Sequence, residues 1–178
     1  GLYSADVYDV LAEKNDSRVA MVSGLYFIFL LSSFFLIGRW FFVSTKINHL
    51  LGIKELKISP GWSVGWYFIP FANFVMPYRS LKETFKASFN SEEWQNNRVP
   101  YDFPIWWSTF LIGNGLSNAS FRMFSALGEN YSYEQINQIS YIDIVADIVL
   151  IVNAIFLLRI INIIYHNQKN NSFQLHQE

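Results

Sequence analysis

The chain has 178 residues, of which 52% are hydrophobic and 19% aromatic, and only 15% are charged, against about 25% in soluble domains. Its 13 basic and 14 acidic residues leave a net charge of -1, so it lacks the clustered basic excess that displaces counterions from nucleic-acid phosphates, and a nucleic-acid partner is set aside. Cysteine is absent, which excludes disulfides, thiolate metal sites and thiol redox chemistry.

Residues 1–18 are polar, with Val7, Val10 and Leu11 at helical spacing and Ser4 or Asp6 as caps, and they read as an interfacial lead-in. Val19 to Val43 carries no charge before Arg39 and meets the requirement of about 20 apolar residues for crossing hydrocarbon. Arg39 and Trp40 read as an anchor at the membrane–water interface. Lys46 to Lys57 is a short basic connector.

The segment from Ser59 to Tyr78 is apolar enough for lipid yet contains Pro60, Pro70, Pro77, Gly61, Gly65 and Asn73. From Trp62 to Met76 a helix would cover roughly 22 Å, short of a hydrocarbon core of about 30 Å, so it must borrow its ends or be discontinuous. Pro70 removes a backbone donor and breaks the preceding turn. Gly61 and Gly65 form a small-xxx-small pair, while Trp62, Trp66, Ile69 and Asn73 share one helical face. Two readings stand: a kink that only shapes packing, or a small polar cavity lined by freed carbonyls, Asn73 and the tryptophans.

Pro77 suits the first turn of a new helix, in which Tyr78, Leu81, Phe85 and Phe89 form an apolar stripe beside a cationic stripe of Arg79, Lys82 and Lys86. Such a helix lies along an anionic membrane surface, or is a solvated helix end. After a polar loop from Asn90 to Pro104, Ile105 to Phe121 reads as a third crossing opened by Trp106 and Trp107. Asn114, Ser117, Asn118 and Arg122 give it a polar face, and Gly115 with Ala119 a second small-xxx-small pair. A polar connector over Gly128 to Gln138 leads into a fourth helix, Ile139 to Tyr165, which carries Asp143 and Asp147 one turn apart. Charge buried in lipid must pair, so Arg122 with Asp143 and Asp147 reads as a cluster that fixes helix register or as a proton- or ion-handling site, with exposed interfacial residues as the remaining reading.

The expected fold is all-α: a single membrane bundle of four transmembrane helices over residues 19–168, the second short and proline-broken and followed by an interfacial amphipathic helix, with a polar tail over 169–178. The larger share of Lys and Arg falls on the side of the two termini, which the positive-inside rule places in the cytoplasm. No nucleophile elbow, no His beside Ser and carboxylate in a motif and no glycine-rich phosphate cradle occurs, so no catalytic residue and no enzyme activity is expected. His49, His166 and His176 are far apart and lack ligand spacing; neither a metal nor a cofactor is expected.

The residues Pro60-Gly61-Trp62-Ser63-Val64-Gly65-Trp66, Ile69-Pro70, Asn73, Pro77-Tyr78, Trp106-Trp107 and the closing segment from Ile160 to Gln168 together resemble domain-of-unknown-function family 4328, a group of small bacterial membrane proteins. The resemblance covers residues 19–168. It implies a four-helix protein of the bacterial inner membrane and carries no activity with it. Asp143, Asp147 and the polar face of the third helix do not map onto the family pattern. Two functions are weighed: a non-enzymatic accessory or assembly subunit packed with other membrane proteins in a complex, and a small transporter or lipid-handling protein with a polar cavity at the broken segment. An open pocket that reaches Asn73 or Asp147 favours the second.

Overall fold

The computed structural model describes residues 5–89, 92–128 and 131–175, and every regular element among them is helical. Ser4 and His176 lie outside these residues. Helix α1 runs unbroken over Ala5–Leu50, because this stretch contains no proline and only two glycines, Gly24 and Gly38, well separated along it. The boundary expected at residue 18 therefore falls inside α1, and so does the end expected at Val43.

The chain divides after Trp40 into two units. In the first, α1 up to Trp40, every side chain from Val19 to Ile37 is exposed, with Phe29 and Phe35 at 69% and 67%. This part of α1 has no apolar side turned inward; its whole circumference is hydrophobic, as in a helix surrounded by lipid or by other helices.

The second unit begins at Phe41 and contains the end of α1, the short helix α2 (Pro60–Gly65), α3 (Met76–Ala87), α4 (Asp102–Ser125) and α5 (Tyr133–Leu175). Single 3-10 turns lie at Trp66–Phe68, Ala72–Phe74 and Trp94–Asn96. Helices α4 and α5 form an antiparallel hairpin: Asp102 pairs with Arg159, Trp106 with Asn153, and Gly113 packs on Leu150. Its base closes against α3 through Leu81, Phe85, Phe103, Trp106, Ile160 and Ile164, all buried. Phe103 meets Phe85 edge-on at 5.0 Å and Trp106 at 6.5 Å, a geometry favoured by the ring quadrupoles.

Among the described residues two helices are long and apolar enough to cross a membrane, α1 over Glu13–Leu50 and α5 over Tyr133–Ser172, fewer than the four crossings expected. At 1.5 Å per residue they extend about 57 and 60 Å, well beyond a hydrocarbon core of about 30 Å. The broken segment contributes no continuous helix: α2 has 6 residues and the adjoining 3-10 turn 3, together about 15 Å. Helix α3 is amphipathic as expected, but the core takes up its apolar side, with Leu81 and Phe85 0% and 2% exposed. It presents its cationic side outward. Helix α5 continues past Gln168 to Leu175, so the first part of the expected polar tail is helical, and Gln168 itself is buried.

Candidate functional site

Polar side chains on three helices meet at the base of the hairpin. Ser44, Thr45 and Asn48 on α1 face Thr84 and Ser88 on α3 and Asn167, Gln168 and Asn171 on α5. The Gln168 amide nitrogen donates to Ser44 O and to Asn48 Oδ1, both at 2.7 Å, and its Oε1 accepts from Ser44 Oγ at 3.2 Å. Asn48 donates to Thr84 O at 2.9 Å, and the Thr45 and Thr84 hydroxyls lie 3.0 Å apart. Asn167 and Asn171 donate to Ser88 Oγ at 3.1 Å and Ser88 O at 2.8 Å. Ser44, Asn48, Thr84, Ser88 and Gln168 are all buried. With partners found throughout, this network braces three helices and leaves nothing free for chemistry.

The broken segment is different. After the turn at Trp66–Phe68, Phe71 takes φ 64°, ψ -41°, and Ala72 N–H donates to Pro70 O at 2.8 Å. These dihedrals and the bond over three residues make a γ-turn of the rarer, strained hand. The turn reverses the chain and brings Asn73 and Phe74 against α4, where the Trp107 indole donates to Phe74 O at 3.1 Å and Trp107 stacks on Phe110 at 5.0 Å.

Between the turn and α4 lies a cleft of about 450 Å³ lined by Asn73, Phe74, Phe110, Leu111, Asn114, Gly115 and Asn118. Asn114 donates to Phe110 O at 2.7 Å, within its own helix, which keeps its carbonyl oxygen and a second N–H available. The Asn73 Oδ1 atom is buried and has no hydrogen-bond partner within the protein, and the same is true of the Trp66 indole nitrogen. Such orphaned groups are uncommon, because each forfeits its hydration without recovering a bond. Three neutral amides between aromatic and aliphatic walls form a site for an uncharged hydrogen-bonding group attached to apolar matter.

The other expected residues are distributed as follows. Arg122, Asp143 and Asp147 are each exposed, and the structure does not pair them. In the register of the hairpin Arg122 falls level with Ile139, one turn short of Asp143. Charge pairing links instead Asp102 at the start of α4 to Arg159 on α5, Nε to Oδ1 at 2.7 Å, with the Asp102 side chain only 10% exposed. The close helix contact is at Gly113, where an added Cβ would lie 2.6 Å from Leu150 Cδ2, whereas Gly115 and Gly61 face open space and Gly65 is covered by Trp62 of its own helix. The Trp62 and Trp66 rings lie 4.5 Å apart, tilted by 30°, Pro77 is buried, and Tyr78 packs edge-on against Phe103 at 6.2 Å. Arg79, Lys82 and Lys86 line a shallow groove with Lys57. Among the described residues no group of three or more His, Asp or Glu could hold a metal ion. The sequence reading missed the three-helix polar brace; its signal was the spacing of Ser44, Thr45 and Asn48, of Ser80, Thr84 and Ser88, and of Asn167, Gln168 and Asn171 on single helix faces.

The family described as Domain of unknown function (DUF4328) matches residues 3–166. The chain belongs to this family. The match takes in both long helices up to His166 and the whole cleft, and it extends further toward the N-terminus than the resemblance read from the motifs. In this DUF4328 chain the residues that carried the resemblance, from Pro60 to Tyr78 and Trp106-Trp107, build the turn, one side of the cleft and the Trp107 contact beside it, whereas Phe110 to Asn118, which line the rest of the cleft, lie outside those motifs. No curated protein and no solved structure matches it.

Proposed function

We propose that this protein is a non-enzymatic membrane protein of the bacterial inner membrane that handles a lipid or similarly amphiphilic small molecule through the Asn73–Asn114–Asn118 cleft. The carrying observation is the convergence of three neutral amides from two separate chain segments on an open, apolar-walled cleft, with Asn73 Oδ1 buried and unpartnered in its wall. The donors and acceptors suit an uncharged headgroup bearing hydroxyl or amide groups, and Phe74, Phe110 and Leu111 suit the start of its hydrocarbon. The lining includes no nucleophile, acid or base, so the reading is one of binding and transfer rather than covalent change. In this reading α1 and α5 cross the membrane, α4 crosses beside α5, and the broken segment enters, turns back at Phe71 and rests on α4 through Asn73 and Phe74.

The test is native mass spectrometry of the protein extracted in lipid nanodiscs. Wild type retains a bound small molecule, and Asn73→Leu and Asn118→Leu each lose it while keeping helicity. Wild type without a bound species, or variants that retain it, would overturn the reading.

A second reading, an accessory subunit packed against a larger membrane complex with both termini in the cytoplasm, is favoured by one observation: α1 is exposed around its full circumference from Val19 to Ile37. Gentle extraction from native membranes that returns this chain with stoichiometric partner proteins would support it, and a monomer alone would remove it.

A further inference from the structure

The tip of the broken segment is built for a task that the cleft does not use. Phe71 stands at the apex of the γ-turn with 85% of its surface exposed, and Phe68, Phe74, Val75 and Trp62 around it are 66%, 56%, 46% and 48% exposed. A bulky residue at positive φ is an outlier kept only where the surroundings or a function demand it. Here the strained conformation thrusts a ring away from the fold, so in water it would carry both the strain and the exposure of the ring.

A cationic surface adjoins this tip. Arg79 follows Val75 by one helical turn, its N–H donating to Val75 O at 3.1 Å. Arg79, Lys82 and Lys86 line a groove of about 290 Å³ with Lys57, Glu55 and Glu83. Both carboxylates accept from neutral donors and keep their charge: Glu83 accepts from the backbone N–H groups of Lys57 and Ile58 at 3.0 and 2.8 Å, and Glu55 accepts from Gln95 at 2.9 Å, so the four cations of the groove outnumber its anions by two. Lys86 is held by Gln95 O. Lys57, Arg79 and Lys82 form no ion pair with a described residue, which leaves three cations beside an apolar tip.

We propose that residues 68–75 form an interfacial wedge inserted into an anionic phospholipid leaflet, with Lys57, Arg79 and Lys82 meeting the lipid phosphates. A bilayer supplies hydrocarbon and phosphate in adjoining layers, and this surface offers aromatic rings and cations in the same succession. Free phosphate would satisfy the cations but leave the rings in water. The inference rests on the membrane location of the chain and is independent of what the cleft binds.

The chain contains no cysteine, so Phe71→Cys, Phe74→Cys and Arg79→Cys in the full-length protein each carry a single nitroxide label. Reconstituted in vesicles of phosphatidylcholine and phosphatidylglycerol in equal parts, labels at 71 and 74 are expected to be relaxed severalfold more by oxygen than by a water-soluble nickel chelate, and the label at 79 is expected to sit at headgroup depth. In pure phosphatidylcholine, or in the Lys57→Gln/Arg79→Gln/Lys82→Gln background, this preference falls severalfold, and added inorganic phosphate does not restore it. Nickel access at 71 and 74 in both lipid mixtures would overturn the wedge. Shielding from both reagents would overturn it too, in favour of protein covering the tip, and equal depth with and without phosphatidylglycerol would overturn the assignment of the cations to lipid phosphate. If the label at 71 disturbs the turn, the label at 74 gives the same reading.

Discussion

Gln168 shows how much one side chain can hold. Its amide closes bonds to Ser44 and Asn48 across 124 and 120 residues of sequence, so Gln168→Leu strands a buried carbonyl and a buried amide oxygen at about 1–3 kcal/mol each. A drop of several degrees in the thermal midpoint in detergent is expected, and a midpoint equal to that of wild type would show the brace to be dispensable. Phe71 runs the other way. Strained backbone of this kind costs about 1–3 kcal/mol, and glycine accepts positive φ without a Cβ clash, though it adds about 0.5–1 kcal/mol of unfolded-chain entropy. Phe71→Gly is therefore expected to raise the midpoint slightly, by the equivalent of about 1 kcal/mol; a fall would show that the ring is packed in the folded protein. Neither residue stands out in the sequence, since one is the last residue before the expected polar tail and the other is one phenylalanine among 17.

Helices α4 and α5 are held together by a glycine contact and an ion pair, each with its own signature. At Gly113 an added methyl group would meet Leu150 at 2.6 Å, while at Gly115 it would meet nothing within 4 Å. Gly113→Ala should cost about 1–3 kcal/mol by overpacking, with rescue by Leu150→Ala, and Gly115→Ala should be neutral or slightly stabilising. Thermal unfolding of the four variants decides this, and equal costs at 113 and 115 would refute the contact. Arg159→Gln leaves the nearly buried Asp102 carboxylate without its cation, so it should destabilise more than the Asp102→Asn/Arg159→Gln double variant does; a double variant as unstable as the single one would mean that the pair contributes no coupling. The small-residue spacing and the ionisable residues were visible in the sequence. Which glycine meets a neighbour and which acid meets an arginine depend on the rotation and offset of two helices, which spacing along one helix does not contain.

At the scale of the whole molecule, the proposed reading counts three crossings, by α1, α4 and α5, because the broken segment turns back, and so puts the two ends of the chain on opposite sides of the membrane. The cysteine-free background permits Lys14→Cys and Lys169→Cys, and only one of them is expected to react with a membrane-impermeant maleimide on intact cells; equal labelling of both would refute this topology in favour of the four crossings expected from the sequence. The sequence by itself determined the helical class, the two long apolar helices and the break at the proline-rich segment, because composition, unbroken apolar length and the missing proline donors act locally, whatever the rest of the chain does; its motifs separately carried the resemblance to the family. Only the tertiary structure decided that α3 buries its apolar side within the protein, that Asn73 meets Asn114 and Asn118 at a cleft, and that Asp102, not Asp143 or Asp147, takes the arginine. Those outcomes depend on which helix faces meet, and that is set by packing among residues up to 124 positions apart.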